Sequence, residues 1–80
     1  KIIFKKAIEA GFMNEDYSFN GTKYQMAYFA DKAYNKLKLE YRWKHFQELW
    51  SVKNLSQTRH ESIERFGHVP KQDEIDSIFD

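Results

Sequence analysis

The sequence predicts an all-α fold, a compact bundle of four to five short helices making one domain over residues 1–80. Three observations lead there. Only three Gly and one Pro interrupt the 80 residues, too few for the many turns of an all-β domain. Apolar residues recur at intervals of three and four, the period of an amphipathic helix. Seven Phe, five Tyr and two Trp offer large buried areas to a domain whose size permits only a modest core. There is no cysteine, so neither a disulfide nor a thiolate metal site can brace the fold. The aromatics are expected to do so.

The first helix is expected over about residues 2–10. Phe4, Ile8 and Phe12 follow at intervals of four, with Ile3 and Ala7 beside them, and Gly11 is the expected stop. Residues 13–21 read as a polar loop with aromatic inserts. Asn20-Gly21 is a turn signal. It joins a small hairpin between Tyr17-Ser18-Phe19 and Thr22-Lys23-Tyr24, or, the reading preferred, it leads into a helix capped by Thr22 and Gln25 in the S/T-x-x-Q pattern.

That second helix, about residues 23–37, carries Met26, Phe29, Ala30, Ala33 and Leu37 on one broad face, as a central bundle helix should. A third is expected over about residues 41–52, burying Trp43, Phe46, Leu49 and Trp50. Ser56 is the expected N-cap of a fourth, about residues 57–66, with a thin apolar face of Leu55, Ile63 and Phe66 ended by Gly67. Pro70 suits the first turn of a last helix. Asp73 and Glu74 there complement the helix dipole, and Ile75, Ile78 and Phe79 dock it. The expected core comprises Phe4, Ile8, Phe29, Ala30, Ala33, Phe46, Leu49, Trp50, Ile63 and Phe66.

A net charge of +1 gives no global nucleic-acid signal. No apolar run approaches the roughly 18 residues needed to span a bilayer, and the apolar core of Lys1-Ile2-Ile3-Phe4-Lys5-Lys6 is too short for a signal peptide. No membrane role is expected. A chain that begins with Lys reads as an excised piece of a larger protein, and the lack of cysteine fits the cytoplasm.

Locally the charge is uneven. Lys32, Lys36, Lys38, Arg42 and Lys44 face one acid, Glu40, with Tyr34, Tyr41 and Trp43 interleaved. Such a stretch neutralises phosphates and stacks on bases, or it is simply the solvated end of a helix, where cations are favoured anyway. Lys1, Lys5 and Lys6 extend it if the first two helices pack together. The last segment is acidic, with Asp73, Glu74, Asp76 and Asp80 against Lys71, and is expected to attract the basic middle within one molecule or between two.

A helix-turn-helix over residues 46–67 fits at Leu55 and Ile63 only. Trp50 stands where a small residue belongs, Asn54 where a glycine does, and His60 where an apolar one does, while Glu61 and Glu64 repel phosphates. His60, Glu64 and His68 have a spacing of four, but only two share a helix face, too few for zinc. No metal, cofactor or small-molecule substrate is expected. No nucleophile elbow or glycine-rich phosphate loop is present, so the chain is expected not to be an enzyme.

Ala10-Gly11-Phe12, Gly21-Thr22-Lys23 leading into Met26-Ala27-Tyr28-Phe29, and Trp43-Lys44-His45-Phe46-Gln47-Glu48-Leu49-Trp50 resemble small helical domains of uncharacterised Bacteroidetes proteins. They are loosely similar to the C-terminal part of RteC-type regulators of conjugative-transposon excision. The resemblance runs through core positions and so speaks to fold more than function. The regulator resemblance implies DNA binding and assigns no contact residue.

The leading expectation is a non-catalytic helical interaction module with a protein partner, through Tyr24, Tyr28 and Tyr41 if these and neighbouring aromatics form one exposed patch. The alternative is a DNA-binding regulatory or accessory domain that uses Lys32, Lys36, Lys38, Arg42 and Lys44.

Overall fold

In the computed structural model, which describes residues 2–41 and 43–80, the described residues form five helices. These are α1 (Ile2–Glu9), α2 (Lys23–Leu37), α3 (Lys44–Trp50), α4 (Leu55–Arg65) and α5 (Gln72–Ile78). The fold is all-α, as the sequence predicts.

Local chemistry fixes α2. Thr22 is extended (φ −71°, ψ 164°), its hydroxyl accepts from the Gln25 N–H at 3.1 Å, and the Gln25 Oε1 accepts from the Thr22 N–H at 2.9 Å. Two N–H groups that the helix leaves open are thereby satisfied. The helix ends on Lys38 in the left-handed region (φ 55°), whose N–H bonds to the Tyr34 carbonyl. The loop before α2 folds on itself: Met13 and Phe19 form an isolated bridge, and the Asn14 and Asn20 amides exchange hydrogen bonds of 2.9 and 2.6 Å. The pairing is thus between residues 13 and 19, not across Asn20-Gly21.

The other helices take their directions from contacts to α2. Phe66 meets Tyr24, while Arg59 meets Tyr28 and Asp31. The order is reversed along the two helices, so α4 lies antiparallel to α2. Pro70 meets Gln25, Asp76 meets Tyr28, and Phe79 meets Phe29, so α5 runs parallel to it. Lys6 reaches the Asp80 carbonyl at 3.2 Å, while Glu9 and Ala10 sit beside Glu74 and Ser77; α1 therefore lies antiparallel to α5.

Phe29, fully buried, is the centre of the core. Its ring meets Phe19 at 5.6 Å, Phe46 at 6.3 Å, Trp50 at 6.1 Å and Phe79 at 5.1 Å, all tilted or edge-on. Tilted and edge-on geometry suits the ring quadrupoles. One ring of the central helix thus ties the loop, α3 and α5 together, and aromatic packing is the brace.

Of the ten expected core residues, Phe29, Ala30, Ala33 and Phe46 are buried, and Phe4, Ile8 and Trp50 half-buried. Leu49, Ile63 and Phe66 are corrections: they are 44%, 51% and 54% exposed. For α4 the face itself is different. It buries the expected Leu55 together with Thr58 and Ser62, and it turns Ile63 and Phe66 outward. Its start also differs. Ser56 is not the cap; Asn54 precedes the helix in the left-handed region (φ 62°) without a side-chain cap, and Gln47 of α3 accepts from the Leu55 N–H at 3.0 Å. Likewise Pro70 precedes α5 rather than opening it, and α3 is shorter than expected.

Candidate interaction surface

The residues of the expected basic cluster meet different neighbours. Lys32 turns toward α5, its ammonium 3.5 Å from Asp76 Oδ1. The attraction of the basic middle for the acidic end is therefore made within one molecule. Lys36 is exposed and shares a shallow cleft with Lys32, Asn35 and Phe79. Lys38 is exposed beyond the end of α2, and Lys44 lies over the Tyr41 ring at 5.3 Å. Lys1 and Arg42 lie outside the described residues. Lys6 donates to the Asp80 carbonyl beside α5.

The expected partner tyrosines also part company. Tyr28 is buried, which corrects its assignment to a contact surface. Its hydroxyl donates to Asp76, and the Arg59 guanidinium sits 4.7 Å from its ring centroid while bonding Asp31 at 3.2 Å. Burial, followed by the Asp76 hydrogen bond and charge, holds its phenol well above the ordinary tyrosine range. Tyr28, Asp76, Arg59 and Asp31 thus tie α2 to α4 and α5. Tyr24 is half-buried, edge-on to Phe66 at 5.6 Å. Tyr41 is 49% exposed. The three do not make one patch.

A different surface gathers what was scattered. Phe4 of α1, Leu37 at the end of α2, Leu39 after it, and His45, Phe46 and Leu49 of α3 line a cleft of about 260 Å³. Phe46 is its buried floor and Leu49 its exposed wall. Tyr17 packs on Phe4 at 5.3 Å, and Tyr41 approaches His45 at 6.2 Å. These two, both exposed, extend the apolar surface from lining residues. The Tyr17 backbone is held in place by Trp50, whose indole N–H donates to its carbonyl at 2.8 Å. Sequence reasoning missed this site because the period of α3 places Leu49 with Phe46 and Trp50. The one available signal was Leu37-Lys38-Leu39, an apolar pair continuing past a helix end.

A larger groove of about 660 Å³ runs along the start of α4, lined by Gln47, Lys53, Asn54, Ser56, Gln57 and His60. It is open surface lined by polar residues. His60 faces Glu64 at 3.2 Å on the exposed side of α4, and His68 Nδ1 lies 2.9 Å from the Phe66 carbonyl. Among the described residues no three His, Asp or Glu side chains converge as metal ligands would, and no helix is long and apolar enough to cross a membrane. In comparisons with family models, curated proteins and solved structures, nothing matches the chain.

Proposed function

We propose that the chain is a non-catalytic helical module that binds a protein partner through the cleft between α1, the end of α2 and α3. The observation that supports this is Leu49. It is 44% exposed beside a buried Phe46, and apolar side chains from three elements meet it at the surface. Clustered exposed apolar groups beside a shaped recess mark contact surfaces, whereas isolated ones do not. The test compares partner capture by the unaltered chain, by Leu49→Asp and by Ile63→Asp, a change of equal chemistry on the outer face of α4. Loss with Leu49→Asp alone supports the reading. Equal capture by all three, or none by any, overturns it.

DNA binding through the basic segment is the second reading. It rests on the exposure of Lys36, Lys38 and Lys44 and on what the RteC-type resemblance implies. Lys32 counts against it, since Asp76 already neutralises that charge. A duplex-DNA titration over a range of salt decides: a steep salt slope lost on neutralising Lys38 and Arg42 supports DNA binding, and no binding at low salt ends it.

A further inference from the structure

We infer that Asn20 is a site of spontaneous deamidation through the Gly21 nitrogen, and that the Asn14 amide holds the reaction back in the folded chain. The chemistry needs a peptide nitrogen that a side-chain amide can reach without hindrance. Asn20 is the only asparagine in the sequence followed by glycine, which has no Cβ to block the approach. Both residues are exposed, and among the described residues nothing accepts from the Gly21 N–H. The other asparagines lack this arrangement. Glu15, Lys36 and Leu55 follow Asn14, Asn35 and Asn54. Asn35 lies inside α2, where N–H groups bond within the helix, and the N–H after Asn54 is held by Gln47 at 3.0 Å. The fold also keeps a glycine at the reactive position. A Cβ on Gly21 would stand 2.5 Å from a Phe19 ring carbon and 2.7 Å from the capping Gln25 Oε1.

The Asn20 carboxamide is engaged at both ends. Its Nδ2 donates to Asn14 Oδ1 at 2.6 Å, and its Oδ1 accepts from Asn14 Nδ2 at 2.9 Å. Closure needs the carboxamide plane to turn over the Gly21 nitrogen, and a doubly bonded carboxamide turns only after the pair opens. The step then balances with water alone. Hydroxide takes the Gly21 N–H proton and the nitrogen attacks Asn20 Cγ. The N–Cγ bond forms, the Cγ–Nδ2 bond breaks, and ammonia leaves with a proton from water, which regenerates the hydroxide. Water opens the cyclic imide at Cγ to give aspartate, or at the backbone carbonyl to give isoaspartate, with the main chain rerouted through Cγ. Neither product restores the pair, because an ionised carboxylate has no proton to donate to Asn14 Oδ1.

The test incubates the folded chain at mildly alkaline pH and follows its asparagines by peptide mass spectrometry, with the chain in urea as the unprotected reference. Asn20 is expected to convert before Asn14, Asn35 and Asn54, to give both aspartate and isoaspartate, and to react faster in urea. Asn14→Ala is expected to raise the folded rate about fivefold, the effect of losing one hydrogen bond of ordinary net strength, and to leave the rate in urea unchanged. Asn14→Asp has the same shape and keeps an acceptor for Asn20 Nδ2, so its folded rate is expected to fall between. Circular dichroism reports whether each variant keeps the fold. Earlier conversion of another asparagine in the folded chain overturns the site. A rate in folded Asn14→Ala or Asn14→Asp no higher than that of the unaltered chain overturns the role of Asn14.

Discussion

Ser62 offers a sharp test of how α4 meets α2. Its side chain is fully buried, and its hydroxyl finds no hydrogen-bond partner among the described residues. A hydroxyl removed from water without compensation costs about 1–3 kcal/mol. Alanine removes that cost, leaves no space as large as a methyl group, and is a better helix former than serine by up to about 0.5 kcal/mol. Ser62→Ala should therefore stabilise the chain by about 1–2 kcal/mol. In a domain of this size each kcal/mol moves Tm by roughly 4–8 °C, so the midpoint should rise by at least about 4 °C in thermal unfolding followed by circular dichroism. Ser62→Leu at the same point should cost about 1–3 kcal/mol, because it forces bulk into a closely packed seam. A lower Tm for Ser62→Ala would refute the unpartnered hydroxyl, and a tolerated Ser62→Leu would refute the close packing.

Four further outcomes are expected. Phe29→Ala removes the ring that joins the loop, α3 and α5; a loss of about 3–5 kcal/mol should leave the chain largely unfolded by circular dichroism at room temperature. Tyr28→Phe keeps the ring against Arg59 but loses the hydrogen bond to Asp76, and urea unfolding should register about 1–2 kcal/mol. Gln47→Ala takes away the acceptor for the Leu55 N–H and should cost about 1 kcal/mol, with faster amide exchange in the first turn of α4. Ser18 donates to Asp16 from both its hydroxyl and its backbone N–H, holding that carboxyl below the usual range. A depressed carboxyl stabilises the folded chain above its unfolded value, near pH 3.9, and the contribution fades as pH falls through the folded value. Asp16→Asn should therefore shift the urea midpoint slightly at neutral pH and not at all in strong acid.

The candidate site was poorly legible in the sequence, and the reasons are geometric. Lys32, Lys36, Lys38 and Lys44 are close along the chain, yet α5 lies beside α2 and takes Lys32 through Asp76. Tyr28 and Tyr41 have the same chemistry, but one faces the neighbouring helices and the other lies after α2 has ended. The cleft draws on residues 4, 37, 39, 45, 46 and 49, a set that no single periodicity brings together. The basic composition of the segment was legible; which of its charges are engaged was not.

What the sequence by itself determined rests on short-range physics. The Thr22–Gln25 cap, the stops at Gly11 and Gly67, both with positive φ, and the broad apolar face of α2 are set by residues within a turn or two of one another. The same local logic placed Ile75, Ile78 and Phe79 in the core. Tertiary structure decided what needed a distant partner. The start of α4 depends on Gln47 from α3, and its buried face of Leu55, Thr58 and Ser62 is set by how the helix packs on its neighbours, α2 above all. Thr58 and Ser62 lie on that buried face while the more apolar Ile63 and Phe66 lie outside it, so hydrophobicity alone pointed to the wrong side of the helix. Leu49 is exposed for a related reason. Phe46 and Trp50 already occupy the space around Phe29, and the remaining apolar residue of α3 is left at the surface.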